Sequence, residues 1–376
     1  MLLTQDQEMI RDAVRAFAKE QLWPHAARWD KEHHFPRDAH RGLAALGAYG
    51  ICVPEEFGGA GLDFVTLALV LEEIAAGDGG TSTAISVTNC PVNAILMRYG
   101  NAAQKKRWLI ALAQGEMLGA FCLTEPHVGS DASGLRTSAR REGEGYVIDG
   151  VKQFVTSGKN GQLAVVIAVT DKGAGKRGMS AFLVPTDTPG YAVARLEDKV
   201  GQHSSDTAQI NFDNCRVPAD HLIGEEGEGY KIALSALEGG RIGIAAQSVG
   251  MARSAFDVAL AYAKERQSFG TAIINHQAVG FRLAECATQL EAARQLIWHA
   301  ATLRDAGQPC LKEAAMAKLF ASEMAERVCS AAIQTLGGYG YVSDFPLERI
   351  WRDVRVCQIY EGTSDVQKIL IQRALA

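Results

Sequence analysis

The chain has 376 residues, of which 47% are hydrophobic and 22% charged, and its formal net charge is −5. That length exceeds one ordinary domain, so two or three are expected. The weakly acidic balance, with no basic block, argues against a nucleic-acid partner, and no apolar run reaches membrane-spanning length.

Helical signals fill the first third. Thr4 and Gln7 have capping-box spacing, ahead of apolar Ile10, Val14, Phe17 and Ala18. Pro24 is predicted to stop that helix. Asp63 is predicted to cap a helix from Phe64, and Asn101 one from Ala102 that Gly115 ends. Pro91 predicts a kink in the run from Thr81 to Tyr99. The N-terminus shows neither the basic-then-apolar order of a signal peptide nor the Arg-rich character of a transit peptide. A cytoplasmic, bacterial location is expected.

From about Leu118 the pattern changes to short β-rich runs. These are Tyr146 to Ile148, Val151 to Val155, Leu163 to Val169, Met179 to Val184 and Ala208 to Phe212. Asp149-Gly150 and Gly173-Ala-Gly175 read as turns between them. A small β-barrel or sandwich is expected. Helical spacing returns from Tyr230, with long apolar stripes over 275–307 and 311–336 that predict a helical bundle. The expected domains are therefore residues 1–117, 118–229 and 230–376, an α+β organisation.

The eight cysteines include no C-x-x-C pair, which predicts free thiols in a reducing compartment. The one adjacent histidine pair, His33-His34, reads as surface. No metal site is expected.

The richest segment is Gln358-Ile-Tyr-Glu-Gly-Thr-Ser364, followed by Asp365, Val366 and Gln367. Ser364 and Gln367 have capping-box spacing, so Glu361 is displayed at a helix start. Gly362 beside it permits close approach of another molecule. A solvated first-turn glutamate accounts for the same pattern. Upstream lie Gln334-Thr-Leu-Gly-Gly-Tyr-Gly-Tyr-Val-Ser-Asp344, then Arg349 and Asp353. Further back are Cys122-Leu-Thr-Glu-Pro-His-Val-Gly-Ser-Asp131 and Glu265-Arg-Gln-Ser-Phe-Gly270, with Gln277 seven residues on.

Together these motifs resemble the acyl-CoA dehydrogenase family, over the chain from Leu3 to its end. The resemblance implies an N-terminal helical domain, a middle β domain and a C-terminal four-helix bundle. It implies FAD as cofactor and formation of an α,β double bond in an acyl-CoA thioester. It makes Glu361 the catalytic base. Phe121, Leu123, Thr124, Gly129 and Ser130 would line the flavin, with Ser130 also touching the thioester. Phe154 and Thr156, in Lys152-Gln-Phe-Val-Thr-Ser-Gly158, would flank the isoalloxazine. Arg266, Phe269, Gln277, Gln334, Gly337 and Gly338 would hold the cofactor from a neighbouring subunit, as Arg suits bidentate phosphate contact. Thr363 and Asp365 complete the cofactor set. Glu238, Arg241, Gln247, Tyr360 and Gly362 join Ser130 at the substrate.

Some relatives place their base where this chain has Gly240, which carries no side chain, so the resemblance assigns the role to Glu361. Gln247 is shared with shorter-chain members, where it narrows the pocket floor. A short straight or branched acyl-CoA is therefore expected. Val128 departs from the small residue usual at its position. The resemblance further implies electron-transfer flavoprotein as acceptor and a homotetramer built as a dimer of dimers. An oxidase or other flavin-dependent relative on the same fold, or a non-enzymatic scaffold without FAD, are the alternatives.

Overall fold

The computed structural model describes residues 2–376; residue 1 lies outside the described residues. Helices α1 (Gln5–Phe17), α2 (Trp23–Glu32), α3 (Arg37–Ala45), α4 (Phe64–Gly77), α5 (Gly79–Val87), α6 (Ala94–Tyr99), α7 (Ala102–Gln104) and α8 (Ile110–Ala113) come first. Thr4 caps α1 in a complete capping box with Gln7, and Asn101 does the same for α7 with Gln104. The Asp63 side chain accepts from Thr66 N at the start of α4. Pro24 does not stop the first helix. A π turn, Ala18–Leu22, passes the chain into α2, where Pro24 occupies the first turn. There its missing N–H costs nothing. At Pro91 the predicted break is present: Cys90 has φ −149° and ψ 114°.

Strands follow: β1 (Gly119–Cys122), β2 (Ser138–Glu142), β3 (Gly145–Thr156), β4 (Leu163–Val169), β5 (Met179–Pro185), β6 (Tyr191–Leu196), β7 (Thr207–Pro218) and β8 (Leu222–Ile223). They form one sheet in the order β6-β7-β3-β2-β4-β5-β8, with β1 parallel to β4. Among the described residues no pairing joins β6 to β8, so the sheet is open and the barrel alternative does not hold. Asp149-Gly150 is not a turn. Gly150, at φ 147°, takes up a register shift inside β3 against β7. β4 is apolar at every position because both its faces are covered. Leu163, Val165 and Ile167 pack with Trp108, Leu112 and Ile232, while Ala164, Val166 and Ala168 pack with Ile148, Phe182 and Ile210.

Five helices close the chain before its last turn: α9 (Gly229–Glu265), α10 (Gln277–Asp305), α11 (Leu311–Leu336), α12 (Gly338–Tyr341) and α13 (Leu347–Val354). The last is α14 (Ser364–Leu375). A hairpin, β9 (Gln267–Ser268) with β10 (Thr271–Ala272), separates α9 from α10. Residues of α4, α9, α10 and α11 share one apolar core, so the first and last thirds of the chain are packed as a unit. Leu237 to Arg241 lies more than two turns inside α9.

Buried polar contacts tie these layers together. Asp353 of α13 accepts from Gln202 N, and Arg349 Nη1 stands 3.5 Å from its carboxylate. Burial pushes the Asp353 carboxyl up to about 6, with Arg349 opposing. Breaking a buried pair leaves a charge without compensation. Arg349→Met is expected to lower stability by about 3–5 kcal/mol, read as a fall in the urea midpoint. An unchanged midpoint would show that the pair carries no weight.

Candidate active site

Glu361 lies on the turn between a 3₁₀ segment (Arg355–Gln358) and α14, with φ 54°, and Gly362 follows at φ 90°. Left-handed backbone is ordinary for glycine and uncommon for glutamate. The helix cap is Thr363, whose side chain accepts from Val366 N at 3.3 Å, one residue earlier than the expected Ser364. Gln367 is therefore free to reach back, and its amide donates to Glu361 O at 3.1 Å and Gly362 O at 2.8 Å.

The Glu361 side chain ends against α9. A Cβ at residue 240 would lie 2.8 Å from its Cδ, Oε1 and Oε2. Gly240 is thus the space the carboxylate occupies. Oε2 is buried and, among the described residues, has no hydrogen-bond partner. Burial pushes the Glu361 carboxyl up to about 7, while Arg241 and Lys318 pull it down. The solvated first-turn glutamate does not hold: desolvation is the largest influence on this carboxyl.

Arg241 is 5% exposed, and its Nε and Nη1 have no partner among the described residues. Burial holds this guanidinium below its ordinary value, with Glu361 and Glu238 opposing. An unpartnered cation beside an unpartnered carboxylate marks a place prepared for a polar ligand. Glu238 is already engaged, accepting from Arg304 Nη1 at 2.9 Å and Cys310 Sγ at 3.3 Å. Gln247 is fully buried. Its amide donates to Thr83 Oγ1 at 2.5 Å and to Tyr360 OH at 2.9 Å. Tyr360 thereby joins α5, α9 and the Glu361 turn.

The two flavin segments expected from sequence are joined by a contact that the motifs did not reveal. Lys152, fully buried on β3, donates to Glu125 Oε1 at 2.8 Å and Leu123 O at 2.9 Å. Glu125 also accepts from the N–H groups of Arg136 and Thr137. Burial alone would raise the Glu125 carboxyl, but the Lys152 charge and these hydrogen bonds hold it below its usual range. Thr124 O accepts from Gln153 N at 2.8 Å. Val128 is 9% exposed and packs in the core with Leu135, so its departure from a smaller residue is absorbed by packing. A register shift in β3 accompanies left-handed Phe154, whose ring is 61% exposed beside half-buried Thr156.

A second group comes together elsewhere. Arg266, Gln334, Gly337 and Gly338 line one cavity of about 590 Å³, with Tyr339 and Asp344. Glu361 and Phe154 are not among its lining residues. Phe269 sits on the β9–β10 hairpin at 99% exposure, and Gln277 begins α10, also exposed. Thr363 is committed to its cap, and Asp365 is exposed.

The residues fit a flavin dinucleotide. A Cβ at Gly129, Gly337 or Gly338 would meet nothing within 4 Å, so the backbone there is open to a ligand. An unpaired aromatic face stands at Phe154. Among the described residues one histidine–carboxylate trio, His33, Asp198 and His203, has ligand atoms within 4.8 Å of one another. Nε2 of His203 is 2.6 Å from Lys199 O and its Nδ1 lies 2.8 Å from the Asp30 carboxylate, so no metal is assigned. All eight cysteines are free.

Three profiles, described as the N-terminal, middle and C-terminal domains of acyl-CoA dehydrogenase, match residues 4–116, 120–215 and 227–376. The chain belongs to the acyl-CoA dehydrogenase family, and its cofactor is FAD. It is 44% identical to the human short-chain specific acyl-CoA dehydrogenase, mitochondrial, over 98% of this chain and 90% of that protein. The butyryl-CoA dehydrogenase of Megasphaera elsdenii superimposes with TM-score 0.98 at 38% identity, covering 100% of this chain and 99% of that one. A structure described as electron transferring flavoprotein of Acidaminococcus fermentans matches with TM-score 0.98 and 44% identity, covering 100% and 99%.

The contact at residue 240 generates a prediction. Gly240→Ala places a methyl where the carboxylate lies, so Glu361 must move. A displaced general base typically costs ~10²–10⁴-fold. The variant should keep its flavin and lose activity on that scale. Wild-type kcat/KM in Gly240→Ala would show that the carboxylate is not held there.

Proposed function

We propose that this enzyme dehydrogenates a short straight or branched acyl-CoA thioester between its α and β carbons and passes the electrons to an electron-transfer flavoprotein. The observation that carries the reading is the Glu361 carboxylate, desolvated against Gly240 and lacking a hydrogen-bond partner for Oε2 among the described residues. Such a group is a stronger base than a solvated carboxylate and is partly ionised near neutral pH.

Glu361 removes the proton from the carbon α to the thioester carbonyl. That C–H bond breaks, and its electron pair becomes the new α,β double bond as the β-hydrogen leaves as hydride. FAD, when bound, supplies the hydride acceptor. The backbone N–H of Glu361 donates to the thioester oxygen and stabilises the charge that develops there. Ser130, Arg241, Tyr360 and Gly362 orient the thioester, with Glu238 at the edge of the site. Gln247 and Tyr360 together close the pocket floor and favour short chains. The short-chain and butyryl-CoA relatives support that preference, and the flavoprotein-described neighbour supports the acceptor.

Phe121, Leu123, Thr124, Gly129, Ser130, Phe154, Thr156, Thr363 and Asp365 hold the flavin of their own subunit. Arg266, Phe269, Gln277, Gln334, Gly337 and Gly338 reach the flavin of a second copy, which makes the enzyme at least a dimer and, as a dimer of dimers, a homotetramer. The full exposure of Phe269 supports this. A role in fatty acid β-oxidation in the bacterial cytoplasm is part of this proposal; the reaction class and the free thiols support it. The proposed domains are 1–117, 118–229 and 230–376, and most of the residues proposed to meet the acyl-CoA lie in the last.

The test is anaerobic titration with C4 to C8 acyl-CoAs, watching flavin bleaching. Wild type should bleach best with the short members. Glu361→Gln should stay yellow, bind acyl-CoA and bleach ~10⁴-fold more slowly or worse. Near-wild-type bleaching by Glu361→Gln would place the base elsewhere. Rapid steady-state turnover with oxygen alone would favour an oxidase.

Arg266→Ala should lower flavin retention and subunit association together. Full flavin content with unchanged oligomeric mass after dilution would remove Arg266 from both roles.

A further inference from the structure

Lys318 on α11 and Gln367 on α14 are both fully buried, and both aim at the Glu361 turn. Lys318 Nζ donates to Gly362 O at 2.7 Å. Gln367 Nε2 donates to the same oxygen at 2.8 Å and to Glu361 O at 3.1 Å. Two helices therefore grip two successive carbonyl groups of a left-handed pair. The fit is close on both sides, since a Cβ at Gly362 would meet Gln367 Nε2 at 2.8 Å.

A buried ammonium is a costly way to bond a neutral carbonyl. Gln367 shows that an uncharged amide suffices for the hydrogen bond. The Lys318 charge therefore has a further use, and the residue preceding its acceptor, Glu361, carries an unsatisfied carboxylate oxygen that interacts with it.

We propose that Lys318 and Gln367 are positioning residues that lock the Glu361–Gly362 turn and aim the carboxylate at Gly240, and that the Lys318 ammonium also acts on that carboxylate through its charge. This rests on Glu361 being the base. The groups facing Glu361 are Arg241 from α9, Lys318 from α11 and Cys90 from the kink after α5. Burial pushes Lys318 down to about 8, with Cys357 and Glu361 opposing, so it is still largely cationic at neutral pH. A nearby cation favours the carboxylate form. Removing it makes Glu361 a weaker acid and moves the acid limb of activity to higher pH.

The test is the pH profile of kcat/KM with a short acyl-CoA, which reports the free enzyme. Wild type should show an acid limb near pH 7. Lys318→Met holoenzyme should lose roughly tenfold or more at pH 7, with the limb displaced upward by roughly one unit. Gln367→Leu, which removes a donor and no charge, should lower the rate with the limb in place. Where Lys318→Met yields no holoenzyme, Lys318→Gln carries the same readout. An acid limb coinciding with wild type in the Lys318 holoenzyme overturns the proposal. That outcome is separate from failure of the base assignment, which Glu361→Gln reports.

Discussion

One missing side chain governs this active site. The carboxylate of Glu361 fills the volume that any residue larger than glycine would claim at position 240. Close packing sets the two positions in competition: a side chain at 240 would displace the end of the Glu361 side chain. The same packing desolvates the carboxylate and lifts its proton affinity into the range useful at neutral pH. Placement and basicity thus have a single cause.

A carboxylate in that position is useful only if its turn is stationary. The turn is held from below by Lys318 and Gln367 and from the side by Tyr360, whose hydroxyl meets Gln247. The adjoining α13 is pinned to the loop before β7 through Asp353 and Gln202. Lys152 and Glu125 perform the same service for the flavin segments, linking the loop after β1 to β3. Each tie is buried and charged or amide-bearing, and all but those of Gln367 span elements distant in sequence. Rigid supports of this kind are what a base needs to meet a weakly acidic carbon in one orientation.

Much of this was legible in the sequence. Caps at Thr4, Asp63 and Asn101, the break at Pro91 and α11 from Leu311 to Leu336 follow from local chemistry alone. Glu361 itself was legible only through the family resemblance. The errors also have local causes. Pro24 reads as a stop because a π turn is invisible in a propensity pattern. Asp149-Gly150 reads as a turn because a tight turn and a strand irregularity both call for a glycine with positive φ. β6 was missed because its residues are mostly exposed and show no alternation. Lys152 and Lys318 sit in stretches where lysine reads as surface. Their burial becomes visible only when Glu125, 27 residues away, and Gly362, 44 residues away, arrive beside them.

The central claim is that Glu361 takes the α-proton. It is tested most directly where no hydride can follow, with 3,3-dimethylbutyryl-CoA, whose β-carbon bears no hydrogen. In deuterated buffer, holoenzyme should exchange the α-hydrogens of this thioester, read as a mass increase of the acyl group. Glu361→Gln holoenzyme should leave the mass unchanged over the same interval. Exchange at the wild-type rate by Glu361→Gln would contradict the account.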